Sequence, residues 1–390
     1  MSLSEVVLVD AVRTPFGKAG GVYANTRADD LGVAVVKALV ARNHMDPAAV
    51  EDVAMAATSQ TGDQGVTLGR SIALLAGLPN TVPGYAVDRM CSGALTAVTQ
   101  VGASISAGMI DVGIAGGVEH MGRHPIGANM DVNPRFVTER LVAADALNMG
   151  VTAENLHDRY PALTRERADA FAALSQWRTA DAYEAGHFAQ QLVPVAARDA
   201  EGAWTLVVRD EPPRPETTVA GLAGLRTPFR ANGRVTAGNA AGLNDGATAA
   251  LVMRESVALA AGLRPRARMV AYAFAGVEPE VMGYGPVPAT IKALAKAGLS
   301  IDDMDVIEVN EAFAVQVLAF LDHFGIAEDA ARVNAYGGAI AVGHPLATSG
   351  VRLMANMIER FRHEPAARYG LTTMCIGLGM GASVIWENVR

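Results

Sequence analysis

Short apolar runs alternate along the chain with stretches whose apolar residues recur every three or four positions, and this alternation predicts strands followed by helices. "VVLVDAVR", residues 6–13, reads as a strand running into a polar Arg13-Thr14-Pro15 turn, and "ADDLGVAVVKALVARN" as a helix with Asp29 or Asp30 near its start. "VEDVAMAAT" predicts a strand and "GVTLGRSIALLAGLP" a helix closed by glycine and proline. A short strand and turn, "VPGYAVDRMC", precedes a helix rich in small residues, "SGALTAVTQVGASISAG", and a buried strand, "VGIAGGVEHM". Such an order predicts an α/β fold with a mostly parallel sheet covered on both faces.

Between about Gly122 and Asn239 the texture changes to irregular loops with amphipathic helices such as "TRERADAFAALSQWRTADAYEAG" and a Pro-rich turn, "EPPRPETT". Insertions of this kind often carry a recognition surface on a rigid frame. The first texture then returns, and the order of elements repeats. "VPGYAVDRMCSGALTAV" and "VNAYGGAIAVGHPLATSGVRLM" both pass from an apolar segment through a glycine-bearing turn into a helix. Two similar α/β domains are expected, with equivalent helix starts facing one another.

Composition narrows the function classes. The 390 residues are 51% hydrophobic and carry a net charge of −8 without a basic cluster, which argues against nucleic-acid binding. No stretch reaches the roughly 18 apolar residues of a membrane span, and the opening run lacks the basic lead-in of a secretory signal, so a cytoplasmic location is expected. Two cysteines and no CxxC, HExxH or EF-hand pattern predict neither a disulfide framework nor a metal site.

Four stretches hold candidate chemistry. Cys91 lies just before a helix, where free backbone N–H groups would favour a thiolate; the alternative is an ordinary buried cysteine. In "GGAIAVGHPLATSG", residues 337–350, close glycines precede His344, and Pro345 suits a first helical turn; His344 is either a proton acceptor or locally hydrogen-bonded. "MCIGLGMG", residues 374–381, lacks Rossmann spacing and reads as a turn that brings Cys375 and nearby N–H groups to a reacting centre, or as a plain hairpin. Within "EVNEAFA", Asn310 is either a helix cap or an oxyanion-polarising group.

Taken together these stretches closely resemble the thiolase family, acyl-CoA acyltransferases, from the "VDAVRTPFGK" opening to the "CIGLGMG" ending. The resemblance implies two similar α/β core domains with an inserted loop domain. Residues 1–121 and 248–270 would form the N-terminal core, 122–247 the loop domain for CoA and acyl-chain recognition, and 271–390 the C-terminal core. It also implies roles. Cys91 would be the acylated nucleophile, His344 its base, and Cys375 the acid/base for the carbon-carbon step. Asn310 would hold a water that forms one oxyanion hole with His344, and the N–H groups of Cys91 and Gly377 would form the other. Coenzyme A would be a co-substrate, with no permanently bound cofactor and no metal.

Met149, Ala241, Met282, Tyr284 and Tyr336 are the expected substrate-binding positions. Ala241 replaces a common serine, Ala347 a usual glycine, Tyr284 a common threonine, and Tyr336 is specific to "AYGGA". "GGVEHMG" and "CIGLG" resemble the degradative branch, so 3-ketoacyl-CoA thiolysis is expected. Acetoacetyl-CoA formation and a non-catalytic acyl-CoA or lipid-binding role are the alternatives. A homodimer or homotetramer is implied, as is association with a hydratase/dehydrogenase subunit.

Overall fold

The structure, a computed structural model, describes residues 3–128 and 131–389. Twelve strands occur among them: β1 Val6–Arg13, β2 Gly17–Lys18, β3 Asp52–Ala56, β4 Gly84–Val87, β5 Val112–His120, β6 Val195–Arg198, β7 Trp204–Val207, β8 Asn244–Arg254, β9 Ala267–Gly276, β10 Val306–Val309, β11 Tyr369–Ile376 and β12 Met380–Asn388. Ten belong to one sheet, in the order β10-β11-β12-β9-β1-β8-β5-β3-β4 with β2 paired to β8, while β6 and β7 form a separate hairpin.

That order is a duplication about the β1–β9 seam, where Val7 and Leu8 pair with Arg268 and Ala267. Outward from the seam, β8, β5 and β3 in the first half correspond to β12, β11 and β10 in the second. Strands β3–β5 and β10–β11 are parallel, but β5–β8, β1–β8, β11–β12 and β9–β12 are antiparallel. The sheet is therefore mixed rather than mostly parallel. The cause is local: a short turn after Ile376 returns β12 directly beside β11, and such a turn can only join antiparallel neighbours.

Period-two burial on both faces explains the unbroken apolar strands. In β1, Val6 and Leu8 face one core while Val7, Val9 and Val12 face another. The first core also contains the helices Gly93–Ser106 and Ser349–His363, one from each half, packed against one another between the sheet segments. Gly350 is needed at their contact, since a Cβ there would lie 2.5 Å from the Leu95 Cβ.

Between His120 and Asn244 the chain leaves the main sheet and forms the helices Met149–Arg159 and Arg165–Glu184 and the β6–β7 hairpin. Asn148 and Thr164 cap the two helices by accepting from the N–H groups of Gly150 and Arg167. Arg13, expected in a polar turn, is instead fully buried. Asp210 of this segment takes both of its terminal nitrogens, at 2.6 and 2.8 Å, and so ties the end of β1 to the insertion.

Candidate active site

The approach to Cys91 is a tight backbone construction. After β4, the Asp88 carboxylate accepts from the Met90 N–H at 2.8 Å, and Met90 takes a left-handed φ of +45°. A methionine in that region costs on the order of 1–3 kcal/mol and persists only where its surroundings hold it. The 3-10 turn Met90–Ser92 then leads into the helix Gly93–Ser106, so Cys91 does sit at a helix start. It keeps a partly open face. Burial nonetheless pushes its thiol up to about 11, against the opposing pull of the Gly377 N–H and of its own N–H. Glu119 adds to the rise, and desolvation outweighs the helix start, so the resting group is a thiol.

His344 is placed by an unusual glycine. Gly343 has a φ of +105°, and a Cβ there would lie 2.7 Å from the Asn244 amide carbon. With no side chain in the way, the His344 N–H donates to the Asn244 Oδ1 at 2.9 Å. Its ring lies with Nδ1 2.6 Å from the Ser349 Oγ and Nε2 3.3 Å from the Asn310 Nδ2. Because the Asn310 NH2 is donor-only, Nε2 is the accepting nitrogen, and Nδ1 carries the proton given to Ser349. Burial, helped by the Arg352 charge, pushes the imidazole down to about 3. Pro345 is extended rather than in a first helical turn; the 3-10 turn Leu346–Thr348 intervenes before the helix begins at Ser349.

This second turn packs on the first. Ala347 is fully buried, with its Cβ 3.2 Å from where a Gly93 side chain would begin, so the extra methyl is taken up by a glycine on the facing helix. The Ala347 N–H donates to Glu119 at 3.1 Å, and the same carboxylate accepts from the Thr58 hydroxyl at 2.7 Å, joining the histidine turn to the first half.

Cys375 comes from β11, opposite Gly381 in the hairpin, and is fully buried. Burial first, and then the neighbouring Cys91 sulfur, push its thiol upward. The hairpin turn uses left-handed Leu378 and Gly379. Gly377 leaves room for two methionines: a Cβ there would lie 2.7 Å from the Met90 Sδ, which would have to shift, and 3.5 Å from the Met149 Sδ. Asn310 follows β10, donates its N–H to the Thr373 carbonyl at 2.9 Å, and accepts at Oδ1 from the Arg352 Nη2 at 2.7 Å.

The remaining expected positions are dispersed. Met149 opens the helix Met149–Arg159 beside Gly377, and Met282 is buried in the second-half core. Ala241 lies alongside the Asn310 loop, its N–H donating to the Ala312 carbonyl at 3.0 Å. Tyr284 stacks on Tyr160 with 5.8 Å between centroids, its hydroxyl 3.0 Å from the His323 Nδ1. Tyr336 stacks on His187 at 4.3 Å in a small cluster with Ala182, Phe188 and Val342. His187, Glu359 and His363 come close enough to suggest metal ligands, but Arg362 already supplies a cation there, bonded to Glu359 and to His363.

Sequence reasoning passed over Met90, Ser349 and Arg352. Arg352 did leave a signal. In "SGVRLMANMIERF", Ser349, Arg352, Asn356 and Glu359 form a polar stripe at helical spacing on a helix that is otherwise buried.

A duplicated α/β frame that presents a cysteine on one helix start and a histidine on the facing turn is that of a thiol-dependent acyltransferase. Residues 6–256 match the thiolase N-terminal domain and residues 263–388 the thiolase C-terminal domain, and the chain belongs to the thiolase family. It is 45% identical to the 3-oxoadipyl-CoA/3-oxo-5,6-dehydrosuberyl-CoA thiolase of Escherichia coli K12, covering 99% of this chain and 100% of that protein. A 3-ketoacyl-CoA thiolase of Shewanella sp. ANA-3 is 44% identical with the same coverage. Among solved structures, human mitochondrial 3-ketoacyl-CoA thiolase superposes with a TM-score of 0.90 at 34% identity over the full length of both chains. Bacillus anthracis acetyl-CoA acetyltransferase does so with a TM-score of 0.89 at 36% identity, again over both full chains.

Proposed function

We propose that this enzyme cleaves 3-ketoacyl-CoA with coenzyme A, giving acetyl-CoA and an acyl-CoA two carbons shorter, through an acyl group on Cys91. The observation that carries the reading is the Gly377 N–H directed at the Cys91 sulfur, with the Cys375 sulfur as its neighbour and the turn after His344 packed on the Cys91 turn where Ala347 meets Gly93. The names of relatives that act on 3-ketoacyl and 3-oxoadipyl thioesters support it.

With the thiol pushed up to about 11 and the imidazole down to about 3, the resting pair is neutral. Proton transfer therefore accompanies attack: as the Cys91 Sγ bonds to the 3-keto carbon, its proton passes to the His344 Nε2. The alkoxide that forms takes the N–H groups of Cys91 and Gly377. Its collapse restores the carbonyl and breaks the C2–C3 bond. The departing electrons become an acetyl-CoA enolate, whose oxygen is held by His344 and an Asn310-bound water. Cys375 gives its proton to the enolate carbon and releases acetyl-CoA. Incoming coenzyme A then loses its thiol proton to Cys375, attacks the acyl carbon, and displaces the Cys91 sulfur, which recovers its proton from His344. Each well-aimed oxyanion donor is worth about 3–4 kcal/mol in such a site.

The insertion, residues 122–247, is assigned to CoA and acyl-chain recognition, with Met90, Met149 and Met282 giving an adaptable apolar wall. Tyr284 packs against the same core as Met149 and Met282 and backs that wall; Tyr336, in its cluster with His187 and Phe188, stands apart from it. No helix among the described residues is long and apolar enough to cross a membrane. We place the enzyme in the cytoplasm as a homo-oligomer; the unpaired outer edge of β4 and exposed Val66, Leu74 and Leu75 support the assembly.

The test is acetyl-CoA release across a chain-length series of 3-ketoacyl-CoAs, acetoacetyl-CoA included. Faster turnover of chains longer than acetoacetyl supports the degradative reading, while turnover of acetoacetyl-CoA alone would replace it with the synthetic one. Cys375→Ala is expected to lose carbon-carbon cleavage and to keep some, slower acyl transfer from acyl-CoA to Cys91, because a CoA thiolate can leave without being protonated whereas the enolate carbon must gain a proton.

A further inference from the structure

The helix starts of the two halves align through a shared Ser-Gly pair, Ser92-Gly93 and Ser349-Gly350. Two residues beyond the glycine, the first half has Leu95 and the second has Arg352. Leu95 is fully buried in apolar core, and Arg352 is 1% exposed. The frame thus accepts leucine at this position, and packing alone does not demand a guanidinium, whose desolvation is costly.

Nor is Arg352 there to make a close ion pair. Its nearest carboxylate oxygen is on Glu308, 3.9 Å from Nη1, and the Nε, Nη1 and the second Glu308 oxygen have no hydrogen-bond partner. Its one short bond is Nη2 to the Asn310 Oδ1, at 2.7 Å. Arginine is a donor only, so it fixes which end of the amide it meets: the oxygen turns to Arg352 and the NH2 to the His344 Nε2. Behind it, Asn356 bonds Glu308 at 3.2 Å and Gln191 at 3.0 Å, and Gln191 takes the Arg13 Nε at 2.7 Å, so the arginine is backed by a buried polar chain.

We propose that Arg352 is a positioning residue that holds the Asn310 amide with its N–H toward the reacting centre, so that this oxyanion donor is aligned before substrate arrives. The inference rests on the assignment of Asn310 given above.

Arg352→Met, Arg352→Lys, Asn310→Ala and the double variants with Asn310→Ala test it by steady-state thiolysis, with thermal unfolding as a check of folding. In folded Arg352→Met, kcat is expected to fall about 100-fold, comparable to the loss of an oxyanion donor, while KM for either substrate is nearly unchanged. Arg352→Lys keeps one donor and is expected to lose about tenfold. In the Asn310→Ala background neither substitution should lower kcat much further. A folded Met variant with near wild-type kcat overturns the inference, and so do losses that multiply in the double variants. Should the Met variant not fold, the Lys variant decides alone: a loss that vanishes without Asn310 supports the inference, and an unchanged kcat or a persisting loss overturns it. An Asn310→Ala enzyme with wild-type kcat would overturn the Asn310 assignment and this inference with it.

Discussion

The first half of the molecule and the second repeat one strand order and one central helix, but they prepare the start of that helix differently. In the first half, Cys91 is delivered by a strained left-handed Met90 into a helix whose buried face is mainly Gly, Ala, Leu, Val and Ile, with Thr96 and Thr99 as its buried polar side chains, and which packs into an apolar core. In the second, His344 arrives after left-handed Gly343, and the helix beyond it carries Ser349, Arg352 and Asn356 into a buried polar chain. A nucleophile that is to remain a thiol until attack needs dry walls and a few N–H groups. A base and an oxyanion donor need their tautomer and amide orientation fixed by partners. The duplicated frame supplies matching places, and in the proposed mechanism the side chains at those places divide the labour.

The comparison breaks most visibly at its two reactive groups. Cys91→Ala is expected to lower thiolysis by about 10⁴–10⁶-fold, and His344→Ala by about 10²–10⁴-fold. Because the two act as a unit, the double variant should be no worse than Cys91→Ala, as single-turnover assays would show. Multiplying losses would mean that the halves contribute separately.

Leu95→Ala probes the apolar side. It should cost about 2–5 kcal/mol of stability in denaturant titration while the folded enzyme keeps its kcat. A large loss of kcat in folded Leu95→Ala would show that the first-half helix positions the chemistry as the second does.

The protonation state gives a smaller but direct comparison. A thiol pushed up to about 11 forms thiolate only as pH rises, so alkylation of Cys91 by iodoacetamide, followed by peptide mapping, should quicken about tenfold per pH unit from 7 to 9. Since burial holds His344 down near 3, it stays neutral over that range and adds no inflection. A plateau below pH 7 would mean a resting thiolate–imidazolium pair instead. Smallest of all, Ala241→Ser adds a hydroxyl beside the Asn310 loop and should lower KM for CoA by less than about tenfold, the worth of one hydrogen bond.

Much of this was legible in the residues. The apolar and helical periods located the strands and helices, and the repeated passage from glycine turn to helix announced the two halves. Asn310 interrupts an apolar strand-to-helix passage and His344 is poorly explained by packing, whereas Cys91 and Cys375 read locally as well as a buried residue and a plain hairpin, and only their resemblance to the thiolase pattern singled them out. What stayed hidden depends on contacts far apart in sequence. Arg13 looks like a turn residue until Asp210, nearly two hundred residues away, neutralises it in the core. Tyr336 immediately precedes the "GGAIAVGHP" stretch in sequence, yet it stacks on His187 of the insertion. The helix start at Cys91 suggested a thiolate because local sequence reports the N–H groups but not the desolvation that outweighs them.

The central claim is that the cysteine of the first half takes the acyl group while the groups of the second half handle protons and charge. Rapid-quench intact-mass measurement with a 3-ketoacyl-CoA, in the absence of free coenzyme A, tests it most directly. The account predicts one acyl group, mapped to the Cys91 peptide and discharged when coenzyme A is added. An acyl group on Cys375, or acetyl-CoA release with no adduct on Cys91, would contradict it.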